Sequence, residues 1–335
     1  MVEHFHGKEG VVGSSPTPGF TERTRRINAI AGSDARPILH LVEQLTTGKA
    51  PQPVDAGARE DRPRTIRLEP TRGFSRVLSP RELWRYRDLA LQIAARDVTV
   101  RYRQTALGAA WAVLQPVGFM VIFSVVFGNL AGVSSDGLPY PLFSLAALVP
   151  WTFFSNALLL GSDSLVTNSA LVSKIYFPRI FLPAGVVAAG LVDLGASLII
   201  LFILVLAWGV VPSAAVLALP LLIAITVAAA LGVSAALSAV NVRYRDVRYV
   251  VPFAIQMWLF ATPIAYSSSL IDEPWRTLSA INPMVGVVEG FRWATLDTGN
   301  PPEALIAVSA ASALVFLVGG LAYFDRVERG FADFV

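Results

Sequence analysis

Six long apolar stretches follow one another from residue 107 to residue 324, and short polar segments separate them. Each stretch has about 20 mainly apolar residues, the length that an α-helix needs to cross about 30 Å of hydrocarbon. The pattern predicts an all-α integral membrane protein with six transmembrane helices. These predicted spans, numbered one to six, lie at roughly residues 108–131, 142–163, 181–208, 214–240, 251–268 and 303–324.

Residues 79–104 precede span one and have a different pattern. Ser79 is a suitable helix cap, and Pro80 is a suitable first helical residue. Apolar residues then recur at helical spacing with arginines between them, which is typical of a helix that lies in the membrane interface. We therefore predict an N-terminal amphipathic interface helix here.

The stretch between spans five and six is only partly apolar. It is interrupted by Asn282-Pro283, and it contains Glu289 and Arg292, which are three residues apart and suited to pair with each other. Irregular backbone at membrane depth has to be buried in protein or line water. We predict two short re-entrant helices in this stretch.

Lysine and arginine residues cluster in alternate connections between the spans. The two short connections on the other side contain none, and the long one contains Arg276 and Arg292. The positive-inside rule then places both termini in the cytoplasm, in agreement with an even number of spans. The basic residues of the predicted cytoplasmic side are Arg96, Arg101, Arg103, Lys174, Arg179, Arg243, Arg245, Arg248, Arg326 and Arg329.

Composition agrees with a membrane protein. Hydrophobic residues make up 54% of the chain, the mean hydropathy is +0.57, and charged residues make up 15%, against about 25% in soluble domains. The net charge of +3 is small and the basic residues are clustered. We therefore expect membrane lipids, and no nucleic acid, to be the partners of these clusters.

The polar N-terminal part and the membrane part are predicted to be separate regions. Residues 1–78 have no apolar core of a signal peptide and predict a mostly disordered cytoplasmic extension. Residues 105–335 form the predicted transmembrane domain. Because the chain has no cysteine and its three histidines all precede residue 41, we expect no catalytic site and no metal site in the membrane.

Six short motifs resemble, in order, those of the membrane subunits of ABC-2 type polysaccharide exporters. The resemblance covers about residues 80–330. The motifs are RDVTVRYRQTALGAAW at 96–111, PWTFF at 150–154, KIYFPR at 174–179, NVRYRDV at 241–247, TPIAY at 262–266 and NP at 282–283.

The resemblance implies a homodimeric permease that works with two separate ATP-hydrolysing subunits in the bacterial cytoplasmic membrane. Its substrate would be a polyprenyl-diphosphate-linked polysaccharide of the O-antigen, galactan or teichoic acid type. The sequence contains no Gly-x4-Gly-Lys-Ser/Thr loop for nucleotide phosphates. We therefore expect this chain to bind no cofactor, with ATP and Mg on the partner ATPase.

The connection between spans two and three is the predicted contact with the ATPase. It combines basic ends, two aromatic residues and a proline that stops a helix. A loop that only sets topology is the alternative. The residues of this coupling segment are Lys174, Ile175, Tyr176, Phe177, Pro178 and Arg179.

Arginines near the predicted cytoplasmic surface are candidates for binding the lipid diphosphate or for forming a gate. Arginine pairs bidentately with phosphate oxygens. Binding of anionic lipid headgroups is the alternative for each of them. The candidates are Arg96, Arg101, Arg103, Arg243 and Arg245.

A glycan conduit is predicted from aromatic residues and one acidic residue in the spans. Sugar rings stack on aromatic rings, whereas an interface belt or helix packing is the alternative for each single aromatic residue. An acid at membrane depth faces the bundle interior or water, so Asp193 is a candidate for helix packing, conduit or proton relay. The predicted conduit residues are Phe119, Phe123, Trp151, Phe154, Asp193, Trp258 and Tyr266.

Three other functions fit the same topology. A drug or lipid exporter subunit of the ABC-2 type has the same spans, but the motif around Arg101 favours glycan export. A proton-coupled transporter needs several carboxylates in the membrane, and Asp193 is the clear one. A membrane-bound glycosyltransferase needs paired carboxylates or an Asp-x-Asp site, which the loops lack.

Overall fold

The computed structural model describes residue 84 and residues 87–102, 110–174, 177–244 and 246–328. The regular structure within these residues is helical. A π-helical turn (Ser124–Leu130) extends α2, and a 3-10 turn (Ala214–Ala218) precedes α6. The helices are α1 (Arg87–Tyr102), α2 (Ala110–Phe123), α3 (Tyr140–Thr167), α4 (Ser169–Lys174), α5 (Phe181–Ala207), α6 (Leu219–Arg243), α7 (Val247–Phe260), α8 (Trp275–Ser279), α9 (Pro283–Leu296) and α10 (Glu303–Glu328).

Five segments are long and apolar enough to cross a bilayer. They contain α2, α3, α5, α6 and α10, and they agree with predicted spans one, two, three, four and six. Predicted span five is the 14-residue helix α7, about 21 Å long at 1.5 Å per residue. Five of the six predicted spans are thus found as long apolar helices, and the prediction that the fifth segment also crosses the membrane stays a prediction.

Helix α7 starts and ends earlier than the predicted span five. It begins at Val247 and ends at Phe260. Pro263 follows and ends the helix, because proline has no N–H group and disfavours helical backbone at the residue before it. The chain then continues as turns to the short 3-10 helix Ser268–Leu270.

Two helices connect α7 to α10, and both are shorter than a membrane span, at 5 and 14 residues. The five-residue α8 ends at Ser279 and α9 begins at Pro283, so the chain turns close to Asn282-Pro283, as predicted. The Asn282 side chain accepts a hydrogen bond from the Met284 N–H and caps α9. Most residues of α9 are buried among α3, α6 and α10.

Helix α3 is the centre of the bundle. It is the most buried of the candidate spans and packs against α2, α5, α6, α7 and α9. Helix α2 is the least buried, and large apolar side chains such as Trp111 and Ile122 lie on its surface. An exposed apolar surface is expected on a helix that faces hydrocarbon.

Helices α6 and α10 cross at two glycines. A Cβ atom on Gly320 would lie 2.0 Å from the Gly232 carbonyl oxygen, and one on Gly232 would lie 2.3 Å from the Phe316 carbonyl oxygen. Both contacts involve backbone atoms, which cannot move aside as a side chain can. The close approach of these two helices therefore depends on glycine, as is common between membrane helices.

Helix α1 packs along α5. Ile93 of α1 is buried next to Gly185, and Arg101 of α1 pairs with Asp193 further along α5. The outer side of α1 is exposed at Leu91 and Val100. The predicted interface helix 79–104 is thus described from Arg87 to Tyr102, and its inner side lies against span three.

The close contact between Gly232 and Gly320 predicts that a larger residue at either position lowers stability. Replacing Gly320 by Ala should lower the free energy of unfolding by about 1–3 kcal/mol, because the added methyl group overlaps the α6 backbone. Gly319 is the matched control, since a Cβ atom there meets no atom within 4 Å and alanine is the better helix former. Thermal unfolding in detergent micelles measures both variants, and equal midpoints would contradict the prediction.

Candidate functional site

An ion pair joins α1 to α5 in the membrane part of the chain. Nη1 of Arg101 donates to Oδ2 of Asp193, and both side chains are largely buried, at 24% and 16% exposed. The second carboxylate oxygen, Oδ1, is buried and has no hydrogen-bond partner among the described residues. The structure therefore brings Arg101, a candidate for binding the lipid diphosphate, into direct contact with Asp193, a predicted conduit residue.

A narrow cleft beside this ion pair is lined by polar groups of α3 and α5. Thr152, Asn156 and Ser197 contribute these groups, together with the pair itself. The Asn156 amide contacts the Gln115 Oε1 at 3.4 Å, and the Ser197 hydroxyl donates to the Ala112 carbonyl oxygen at 3.0 Å. The free space is about 20 Å³, enough for about one water molecule, so a sugar ring does not fit.

Four aromatic rings form a chain from α3 through α7 to α10. Trp151 lies 5.8 Å from Phe154, Phe154 lies 5.1 Å from Trp258, and Trp258 lies 6.3 Å from Phe316, measured between ring centroids. Trp151 and Phe154 are buried. The Trp258 Nε1 donates to the Asn282 side-chain oxygen at 2.8 Å, so this ring also holds the turn before α9.

The other predicted conduit residues lie elsewhere. Phe119, Phe123 and Phe127 stack edge to face along α2 and its π-helical turn, and Phe119 is 40% exposed. Tyr266 lies in the turns after α7, and Asp193 faces the cleft at α5. In this structure Trp151, Phe154 and Trp258 thus lie together, and the other predicted conduit residues lie at separate places.

A polar network lies near the carboxyl end of α3. Asp163 of α3 accepts hydrogen bonds from Arg248 of α7 at 3.2 Å and from Asn241 of α6 at 3.3 Å. Arg96 of α1 donates to Asn168, directly after α3, at 2.9 Å. Asp163 and Asn241 were not predicted as site residues from the sequence. The position of Asp163, an acidic residue at the end of predicted span two, was the signal that could have found this network.

Two other arginine candidates lie in different surroundings. The Arg243 guanidinium lies 5.4 Å above the ring of Tyr244, at the end of α6. Arg96 also pairs with Asp97, its neighbour in sequence, at 2.9 Å. The predicted candidates Arg103 and Arg245 lie outside the described residues.

Phe177 of the predicted coupling segment is buried in the helix bundle. Phe177 is 5% exposed and belongs to a buried cluster with Phe181 and Phe324, so its ring is not on the surface. Lys174 is exposed, and Arg179 contacts Glu328 through its backbone N–H at 3.4 Å and its Nη1 at 3.3 Å. The predicted residues Ile175 and Tyr176 lie outside the described residues, and Pro178 is half-buried.

A buried arginine organises the opposite end of α3. Arg292 is 1% exposed, and its guanidinium donates to the carbonyl oxygens of Phe143 at 3.2 Å and Ile264 at 2.9 Å and to the Glu289 carboxylate at 3.0 Å. It also lies 3.5 Å above the Phe143 ring. The Glu289 carboxylate supplies the counter-charge that a buried guanidinium needs.

The Glu289–Arg292 pair predicted from the spacing is confirmed, and it also holds neighbouring segments together. The Glu289 carboxylate accepts a hydrogen bond from the Ser268 N–H at 3.1 Å. Through these contacts α9 is joined to α3 and to the turns after α7. The group therefore fixes the loop region that was predicted to be re-entrant.

Replacing Arg292 by Lys should destabilise the fold strongly. An ammonium group cannot reach acceptors on three segments with a planar fork, and each buried acceptor left without its hydrogen bond costs about 1–3 kcal/mol. Arg276→Lys is the control, because Arg276 makes one contact of 3.3 Å with the Ser268 hydroxyl and is only half-buried. Thermal unfolding in detergent decides, and a similar loss for both variants would argue against the organising role of Arg292.

Sequence comparisons cover most of the described helices. Residues 89–296, from α1 to the end of α9, match the family described as ABC-2 type transporter. The chain is 30% identical over 256 residues to the O-antigen export system permease protein RfbA of Myxococcus xanthus, which covers 76% of this chain and 97% of that protein.

Two further relatives align over similar lengths. An O-antigen export system permease protein RfbA of Klebsiella pneumoniae is 27% identical over 248 residues, 73% of this chain and 94% of that protein. The polysialic acid transport protein KpsM of Escherichia coli is 22% identical over 235 residues, 70% of this chain and 91% of that protein. The aligned lengths show that this chain spans nearly the whole of each relative.

Proposed function

Because this chain belongs to the ABC-2 type transporter family and is the permease subunit of an ABC polysaccharide exporter, we propose that its substrate is a polysaccharide joined to a polyprenyl diphosphate. O-antigen, galactan and teichoic acid chains are the substrate types that suit this assignment. The observation that carries the proposal is the 30% identity to an O-antigen export permease over 97% of that protein.

Energy for export comes from an ABC ATPase partner, as the family implies. The sequence has no phosphate-binding loop of the Gly-x4-Gly-Lys-Ser/Thr type, which supports placing ATP and Mg on that partner. We propose that the ATPase contacts the segment from Lys174 to Arg179. Because Phe177 is buried within the chain, the exposed Lys174 and the half-buried Arg179 are the better candidates for direct contact, and Phe177 holds the segment against the bundle.

The permease is proposed to act as a homodimer. The cleft beside Asp193 has room for only about one water molecule, so a passage for a glycan chain is better placed between two copies than within one. Helices α2 and α7 are suited to face the second copy, because their exposed faces carry Gln115 and Gln256 among apolar side chains. A polar side chain is costly against lipid and favourable at a helix interface.

The protein is a multi-pass membrane protein, and we propose the bacterial cytoplasmic membrane with both termini in the cytoplasm. The distribution of lysine and arginine between the spans supports this orientation. It places Lys174, Arg179 and the Asp163–Arg248 network on the side of the ATPase. The buried Arg292 group then lies at the outer side.

Mild detergent extraction from the native membrane, followed by affinity purification and mass spectrometry, tests the proposed partner and substrate. We expect an ATPase with a phosphate-binding loop in equal amount to this chain, together with a lipid-linked glycan. Extraction of an unrelated six-span protein from the same membrane is the control for adventitious binding. An intact chain that carries neither an ATPase nor a glycan lipid would contradict the proposed function.

A further inference from the structure

Asp193 lies near the middle of a candidate membrane span, and Arg101 is paired with it. Asp193 is twelve residues after Phe181, the first residue of α5, which corresponds to about 18 Å along the helix axis. Charged groups at such a depth are costly and usually serve transport or binding. Their pairing joins two elements that are 92 residues apart in sequence.

The pair is incomplete as a structural ion pair. The contact uses one guanidinium nitrogen and one carboxylate oxygen, and the other oxygen of Asp193 is buried with no partner among the described residues. A bidentate pair would satisfy both oxygens. Arg292, by contrast, donates to two carbonyl oxygens and a carboxylate at once. The Arg101 contact is therefore the more easily exchanged of the two.

The groups around the pair suit an anionic oxygen ligand. The Asn156 amide, which has two N–H groups, and the Thr152 hydroxyl line the same cleft as the Arg101 guanidinium. A guanidinium binds carboxylate and phosphate oxygens with the same planar fork. The Asp193 carboxylate thus occupies the position at Arg101 that a phosphate oxygen would take.

The other described arginine candidates have less suitable surroundings. Arg96 is held by Asp97 and Asn168, and Arg243 stacks on Tyr244. Arg101 lines the cleft between α3 and α5.

We propose that Arg101 binds the diphosphate group of the lipid-linked substrate during its transfer, and that Asp193 is an internal anion that occupies Arg101 while no substrate is bound. The proposal rests on the proposed function and deepens it. The cleft has room for about one water molecule. Substrate binding therefore requires α1 and α5 to separate at this point, with the diphosphate replacing the Asp193 carboxylate.

Two substitutions with opposite expected effects follow from this competition. Arg101→Gln should weaken binding of a polyprenyl diphosphate about tenfold or more, as expected for the loss of a hydrogen bond between charged groups. Asp193→Asn should strengthen it several-fold, because the competing anion is removed while the shape is kept. A purely structural ion pair predicts a loss in both variants.

The experiment uses the full chain with its co-purified ATPase in phosphatidylcholine nanodiscs, with undecaprenyl diphosphate as the titrated probe. Arg87→Gln on the same helix is the matched control, because Arg87 is exposed and pairs with its neighbour Asp88. The double variant Arg101→Gln/Asp193→Asn removes both charges, so it should fold even where Arg101→Gln alone does not. Because it lacks Arg101, the double variant should bind undecaprenyl diphosphate more weakly than the wild-type chain does.

Competition identifies the source of the phosphate group. Undecaprenyl diphosphate should be displaced by other polyprenyl diphosphates and only weakly by phosphatidylglycerol; equal displacement by phosphatidylglycerol would overturn the proposal in favour of a headgroup site. Wild-type affinity in the double variant, or no gain in Asp193→Asn, would also overturn it. A wild-type complex that assembles with its ATPase but binds no polyprenyl diphosphate would instead refute the lipid-linked substrate of the proposed function.

Discussion

Polar groups in the membrane part of this chain have to find partners within the chain, because hydrocarbon offers none. Arg292 illustrates the constraint: its guanidinium is buried, and it donates to backbone oxygens of two segments and to Glu289. These contacts join α9 to the start of α3 and to the turns after α7. The need to satisfy one charged side chain thus contributes to the position of the connection between α7 and α10.

The same constraint acts at the other end of α3 and in the middle of the bundle. Asp163 near the end of α3 receives hydrogen bonds from α6 and α7, and Trp258 of α7 donates to Asn282 before α9. Helices that are otherwise apolar are therefore joined by a few specific polar contacts. Between these contacts, close packing at Gly232 and Gly320 supplies the van der Waals attraction that holds membrane helices together.

Asp193 departs from this rule, since one of its carboxylate oxygens is buried without a partner among the described residues. A group left unsatisfied in a region where such groups are costly is a reason to look for function there. The cleft beside it is closed to a sugar ring. A separation of α1 from α5 would expose Arg101 and Asp193 together, which links movement of the interface helix to access for an anionic group.

The sequence by itself determined the solvent, the helical class, five of the spans and the break at Asn282-Pro283. Those features depend on local pattern: about 20 apolar residues are enough to span a bilayer, and an Asn-Pro pair is suited to cap and begin a helix. The Glu289–Arg292 pair was also predictable, because residues three apart on a helix are neighbours.

Only the tertiary structure decided that Arg101 meets Asp193, that Phe177 is buried, and that Phe154 packs against Trp258. The shortening of α7 to 14 residues was also visible only there. An apolar stretch shows that every side of a helix avoids water, but not which side faces a neighbour. That choice depends on how the helices rotate and cross, and contacts between distant residues, such as Gly320 with Gly232, set those angles.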